Sequence, residues 1–147
     1  MIVGVEIKKL NTLAKIPTYG STDAAGLDLY AAIDEPMEIL PHTTRKVGTG
    51  LAFALPKNTY GAIVPRSGIA TKRGLRPANT PGTIDADYRG EVIIALHNDT
   101  DDVQRIEPQE RIAQMIIKEY LIANLNIVDE LLETDRGESG FGDSGRF

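Results

Sequence analysis

Two aspartates, Asp85 and Asp87, follow the turn signal Asn79-Thr80-Pro81-Gly82 and stand directly ahead of Tyr88, Arg89 and Gly90. A carboxylate fixed on a rigid element can take a proton as a general base. Side chains alternate along a strand, so an extended stretch would place Asp85 and Asp87 on one face and Ile84, Ala86 and Tyr88 on the other. The apolar run Val92-Ile93-Ile94-Ala95-Leu96 behind them reads as a buried strand. The stretch is therefore expected to form a hairpin with its polar residues held at the strand ends. The plainer alternative, that both aspartates cap turns or lie in solvent, stays open on these residues alone.

Three further groups could do chemistry. In Pro65-Arg66-Ser67-Gly68, Ser67 is expected to cap a short helix ending at Gly74. Free backbone N–H groups and the Arg66 guanidinium would then converge on an anion, although the same residues also suit an ordinary strand-to-helix turn. Asp28 lies between Leu27 and Leu29 and shares a strand face with Tyr30; it either faces a metal-bound water or is simply solvated. Gln114 is the lone amide in Ile112-Ala113-Gln114-Met115-Ile116-Ile117. If buried it must find partners, either structurally or by reaching into a site. The C-terminal stretch from Thr134 to Phe147 holds four glycines and few apolar residues. Its Gly-rich backbone could wrap a phosphate, Arg136 could clamp one, and Phe141 could stack on a base. The competing reading is a mobile tail without a role.

The elements that would carry these groups read mostly as short strands. Val3, Val5 and Ile7 alternate as a first strand, and 16–21 is loop. Met37 to Pro41 is a strand ending in a turn. Val47, Thr49, Leu51, Phe53 and Leu55 alternate with period two, the clearest such signal in the chain. Pro56-Lys57-Asn58 turns into the strand Tyr60–Val64. Asp99 to Asp102 is a polar turn, Val103 and Ile106 start a further strand, and Pro108 to Arg111 is a turn. In Glu119–Glu133, Leu121, Leu125, Val128 and Leu132 have helical spacing, but Ile122, Ala123 and Ile127 blur it. Helix and extended arm both remain open there.

The 147 residues suit one domain, long enough to bury about 70% of the unfolded surface. The sequence is 41% hydrophobic but only 5% aromatic, with no Trp, so its core must be aliphatic. Fourteen Gly and eight Pro between short apolar runs favour an all-β sandwich or barrel. A net charge of −5 argues against a broad nucleic-acid surface, while leaving room for a phosphate ligand on a few local cations. With no Cys there is neither a disulfide nor a thiolate metal site, which fits a reducing compartment. The first residues lack the blocks of a signal peptide, and no apolar run reaches the ~20 residues of a membrane span. A soluble cytoplasmic protein is expected.

Five stretches, in order, resemble the five motifs of the trimeric dUTPases. They are Ala25-Gly26-Leu27-Asp28-Leu29, Pro65-Arg66-Ser67-Gly68, Gly82 through Gly90, Arg111-Ile112-Ala113-Gln114, and Arg136-Gly137 through Gly145. The resemblance implies a single β jelly-roll domain of β-clip type over 1–133. A flexible tail, 134–147, would close over active sites shared within a homotrimer, and Glu119–Glu133 would be an extended arm. It also implies Mg²⁺-assisted cleavage of dUTP to dUMP and pyrophosphate. On that basis Asp85 deprotonates the water that attacks the α-phosphorus, and Gln114 assists at the phosphates with Arg66, Ser67 and Gly68. Asn79 and the backbone around Thr83, Ile84 and Ile93 would read the uracil edge. Tyr88 would pack under the deoxyribose and exclude a 2′-hydroxyl. Asp28 would touch the metal through water. In the tail, Phe141 and Gly142 would cover the uracil, with Arg136 and Ser144 at the γ-phosphate. Ser139 and Asp143 depart from the Gly and Ser usual in the family, which implies looser closure of the tail.

Two other functions compete. A deaminase of deoxycytidine triphosphate shares the fold but calls for a catalytic Glu where this chain offers Asp85 and Asp87. A nucleotide-sensing interaction protein without turnover would have no need of Asp85, Gln114 and Arg66 together.

Overall fold

The structure, a computed structural model, describes residues 2–142; Asp143 and the expected phosphate contact Ser144 lie outside the described residues. Twelve strands and one helix follow in order: β1 (Glu6–Lys9), β2 (Thr18–Tyr19), β3 (Leu27–Tyr30), β4 (Met37–Ile39), β5 (Thr44–Gly48), β6 (Leu51–Ala54), β7 (Thr59–Val64), α1 (Ser67–Arg73), β8 (Leu75–Pro77), β9 (Gly82–Ile84), β10 (Ile93–Asn98), β11 (Gln104–Ile106) and β12 (Arg111–Glu119). The chain is an all-β jelly roll. One sheet runs β2-β3-β12-β7-β9 and another β5-β10-β8, with the pairs β1-β6 and β11-β4 beside them. Leu29, Ile63 and Met115 from the first sheet meet Val47, Leu75, Ile94 and Leu96 from the second in an aliphatic core. Each such side chain, once buried, contributes about 1.5–3 kcal/mol relative to exposure.

The long alternation from Val47 to Leu55 is not one strand. It breaks between β5 and β6, which pair with different partners, β10 and β1. Gly50 turns the chain at φ 65°, a left-handed conformation that costs glycine no Cβ clash. Its N–H donates to Glu91 Oε1 at 2.8 Å. Thr49, fully buried, donates its hydroxyl to the Val92 carbonyl at 2.6 Å. Period two survived the corner because both flanking segments face the same core.

The expected hairpin is also redrawn. β9 and β10 lie in different sheets: β9 pairs with β7, and β10 lies between β5 and β8. The true antiparallel neighbours are β8 and β10, closed by Ala78 N–H to Ala95 C=O at 2.7 Å. The intervening residues make a long excursion that docks β9 on the opposite sheet. Both hydrogen-bonding edges of β10 are taken, so β9 has no place beside it.

Smaller expectations shift too. The first strand begins only at Glu6, and Val3 and Ile7 remain exposed. The 16–21 loop contains β2, which pairs with β3. Helix α1 ends at Gly74, as its sequence suggested, but its N-cap is Arg66 and no side chain caps it. Beyond β12 no helix forms in the described chain. From Lys118 to Ser139 every residue is exposed, including Leu121 at 98% and Leu132 at 97%. Among the described residues no helix is long and apolar enough to cross a membrane.

Candidate active site

The registers of the five-stranded sheet align Thr18, Asp28, Gln114 and Val64 in one row across four strands. Cross-strand partners point to one side of a sheet, here away from Leu29 and Met115, which are fully buried in the core. Asp28 is not solvated as its neighbours suggested; it is 6% exposed. Arg66 Nε donates to its Oδ1 at 2.7 Å, and Arg111 Nη1 to its Oδ2 at 3.2 Å. Gln114 Nε2 donates to the Pro65 carbonyl at 2.9 Å, immediately before Arg66. The expected Asp28, Arg66 and Gln114 therefore meet, with Ser67 and Gly68 following at the exposed start of α1.

Sequence reasoning gave Arg111 and Gly26 no role of their own. A Cβ on Gly26 would fall on Gln114 Oε1 and lie 2.9 Å from its Cδ, so only glycine leaves Gln114 this position. Arg111 and Asp28 are 83 residues apart in the chain, a separation that no local pattern reports. By contrast, a Cβ on Gly68 would meet nothing within 4 Å. Packing within the chain does not demand a glycine there, whereas close approach of a ligand to the backbone would.

The second group surrounds Asp85. Tyr88 N–H donates to the Asp85 carbonyl at 3.1 Å, closing a turn over Asp85–Tyr88. Asp85 and Asp87 are thus turn residues rather than same-face strand residues, and both are exposed. Arg89 Nη1 fastens the turn to the carbonyls of Ala86 at 2.7 Å and Tyr88 at 3.1 Å. Tyr88 donates its hydroxyl to the Glu91 carbonyl at 3.0 Å, and its ring lies so close to Gly90 that a Cβ there would stand 2.6 Å from Cζ. The ring is positioned from both ends yet remains 44% exposed. Asp85 lines an open cavity of about 440 Å³ with Lys57, Asn58 and Tyr120. Asn79 lies beside Gly82 at the entry to β9, which carries Thr83 and Ile84, and Ile93 is exposed at the start of β10.

Among the described residues no hydrogen bond or ion pair joins the Asp85–Tyr88 group to the Asp28–Arg66–Gln114 group. Arg136 Nε donates to the Ser139 carbonyl at 2.9 Å, and Phe141 is fully exposed at φ 51° beside Gly142.

A dUTPase family model matches residues 12–145, a range that includes every group just described. A deoxyuridine 5′-triphosphate nucleotidohydrolase of Orientia tsutsugamushi (strain Ikeda) is 46% identical over 140 residues, covering 95% of each chain. One from Syntrophotalea carbinolica is 46% identical over 145 residues, covering 97% of each. Among solved structures, the Staphylococcus bacteriophage 80alpha dUTPase with dUPNHPP superposes with a TM-score of 0.88 at 29% identity, over 97% of this chain and 99% of that one. With these likenesses spanning nearly its whole length, the chain belongs to the dUTPase family.

Proposed function

We propose that the protein hydrolyses dUTP to dUMP and pyrophosphate, at sites built between the copies of a homotrimer in the cytoplasm. The observation that carries this reading is the family match through residues 12–145. The geometry supports it in two ways. A fixed, exposed carboxylate, Asp85, is available as a base, and a separate cationic group is available for phosphates. That the two groups are not joined within one chain suits a site completed by a neighbour. Exposed leucines at 121, 125, 131 and 132 give the arm an apolar surface that water alone would not favour.

In this mechanism Asp85 accepts a proton from the water that attacks the α-phosphorus, an effect worth about 10²–10⁴-fold. Arg66, Ser67, Gly68 and Gln114 hold the phosphates, whose roughly four negative charges must be offset before a nucleophile can approach. Tyr88 carries the deoxyribose, and its anchored ring leaves no space for a 2′-hydroxyl. Asn79, Thr83, Ile84 and Ile93 border the uracil. Residues 134–147 form a tail that closes over the site, bringing Arg136, Phe141 and Gly142 to the nucleotide, and closure excludes water.

Among the described residues no three His, Cys, Asp or Glu side chains converge to hold a metal. Within one chain these residues form no multi-carboxylate ion site of their own. Mg²⁺ would bind with the triphosphate oxygens, Asp28 reaching it through water as the resemblance implies, and would supply charge neutralisation there.

Turnover of dUTP, dCTP, dTTP and UTP side by side tests the reading, with pyrophosphate and ammonia both measured. Pyrophosphate release from dUTP, in clear preference to the others, is expected. Ammonia from dCTP, or binding without turnover, would overturn it.

A further inference from the structure

Both oxygens of the Asp28 carboxylate are already paired with a cation. Arg66 Nε holds Oδ1 and Arg111 Nη1 holds Oδ2. The acid side chain is 8% exposed, against 27% for Arg66 and 49% for Arg111. Two guanidiniums facing one carboxylate leave the corner net positive, and an incoming ligand meets the arginines before the acid. Arg66 commits its Nε–H to Asp28, and the donors on its two Nη atoms remain for an anion.

Arg66 is held at two levels. Gln114 fixes the preceding carbonyl of Pro65, and Asp28 fixes the guanidinium plane. Arg111 in turn holds the other edge of Asp28, so that the carboxylate cannot rotate away from Arg66. Of the roughly four acceptor positions on a carboxylate, Arg66 and Arg111 fill two on Asp28, in a nearly buried setting. Breaking such a pair leaves an incompletely compensated charge, which is costly in a buried setting.

Building on the proposed dUTP hydrolysis, we propose that Asp28 and Arg111 are positioning residues that aim Arg66 at the triphosphate, a role that does not depend on the metal. Asp28 then contributes to phosphate binding whether or not Mg²⁺ is present, and without the ion it contributes only through Arg66.

Calorimetric binding of the non-hydrolysable α,β-imido-dUTP to the full chain, in Mg²⁺ and in excess EDTA, separates the two roles. Asp28→Asn should weaken binding about 10- to 100-fold in both buffers, the range of a charge-assisted hydrogen bond. Introduced into an Arg66→Met background, it should add less than about twofold in EDTA, because coupled residues are not additive. Arg111→Met should weaken binding about tenfold, and Arg111→Lys, which keeps a donor and the charge, should recover most of that. If Asp28→Asn fails to fold by circular dichroism, the two Arg111 variants, tested with and without Arg66→Met, decide the matter alone. A loss confined to Mg²⁺ buffer, or one undiminished in EDTA without Arg66, overturns the inference. A wild-type chain that does not bind the analogue at all overturns the dUTP reading, and this inference with it.

Discussion

The two groups of site residues are built in opposite ways. Around Asp28 the acid is buried and paired with more exposed arginines, and the group is drawn from β3, β12 and the junction between β7 and α1. Around Asp85 they come from one excursion of the chain, stapled by backbone carbonyls, with the acid itself exposed. One half is rigid because its charges satisfy each other. The other is rigid only in its backbone and keeps its reactive group free. Anion binding gains from preorganised cations, whereas a base must stay accessible to water.

Asp85→Asn should produce the largest effect. The amide keeps the shape but cannot take the proton, so turnover should fall about 10²–10⁴-fold with analogue binding retained. Near-normal turnover would remove Asp85 as the base. Ending the chain after Thr134 should come next, with kcat/KM falling tenfold or more, about 1.4 kcal/mol. The Tm should move by less than about 2 °C because little buried apolar area is lost. If turnover survives, Arg136 and Phe141 have no part in closure.

Gly26→Ala tests the preorganised half. The new methyl drives Gln114 off the Pro65 carbonyl, and the KM for dUTP should rise about tenfold, the value of one good hydrogen bond. A KM left unchanged would show that Gln114 does not need this position. Tyr88→Ala tests the exposed half, and the preference for dUTP over UTP should narrow by about tenfold. An unchanged ratio places the discrimination elsewhere.

The smallest effect lies outside both groups. Arg76 pairs with Asp99 through two hydrogen bonds of 2.6 and 3.0 Å and holds its pKa below the usual 3.8. A depressed carboxylate pKa contributes stability above its unfolded value, and that contribution is lost as pH falls through the folded one. Both side chains are well exposed, so the contribution is at most about 1 kcal/mol. Arg76→Ala should flatten the acid limb of the Tm–pH curve below about pH 4 without altering turnover at neutral pH. A limb of unchanged slope would show that the pair contributes nothing.

Much of this was legible in the residues. Short aliphatic strands and the helix end at Gly74 followed from pattern, while the resemblance grouped Arg66 with Gln114 and gave Asp28 to the metal, leaving its pairing with Arg66 unforeseen. The corner at Gly50 did not, because the period-two signal reports burial and is blind to which sheet a strand joins. The placement of β9 failed for a similar reason: adjacency in sequence stood in for pairing, while β10 already had β5 and β8 beside it. The pairing of Arg111 with Asp28 joins distant parts of the chain, and no local feature of either residue announces it. The arm's helical spacing was misleading because its leucines find no surface among the described residues to pack against.

Mixing two inactive chains tests most directly whether the two halves of a site come from different copies. Chains carrying Asp85→Asn and chains carrying Arg66→Met are co-expressed, purified as mixed assemblies and assayed for pyrophosphate release from dUTP. If each site takes Asp85 from one copy and Arg66 from another, random mixing makes half times half, about a quarter, of the sites intact, and about a quarter of wild-type turnover should return. Turnover no greater than that of the two parent variants would place Asp85 and Arg66 in the same copy's site and contradict the shared-site arrangement.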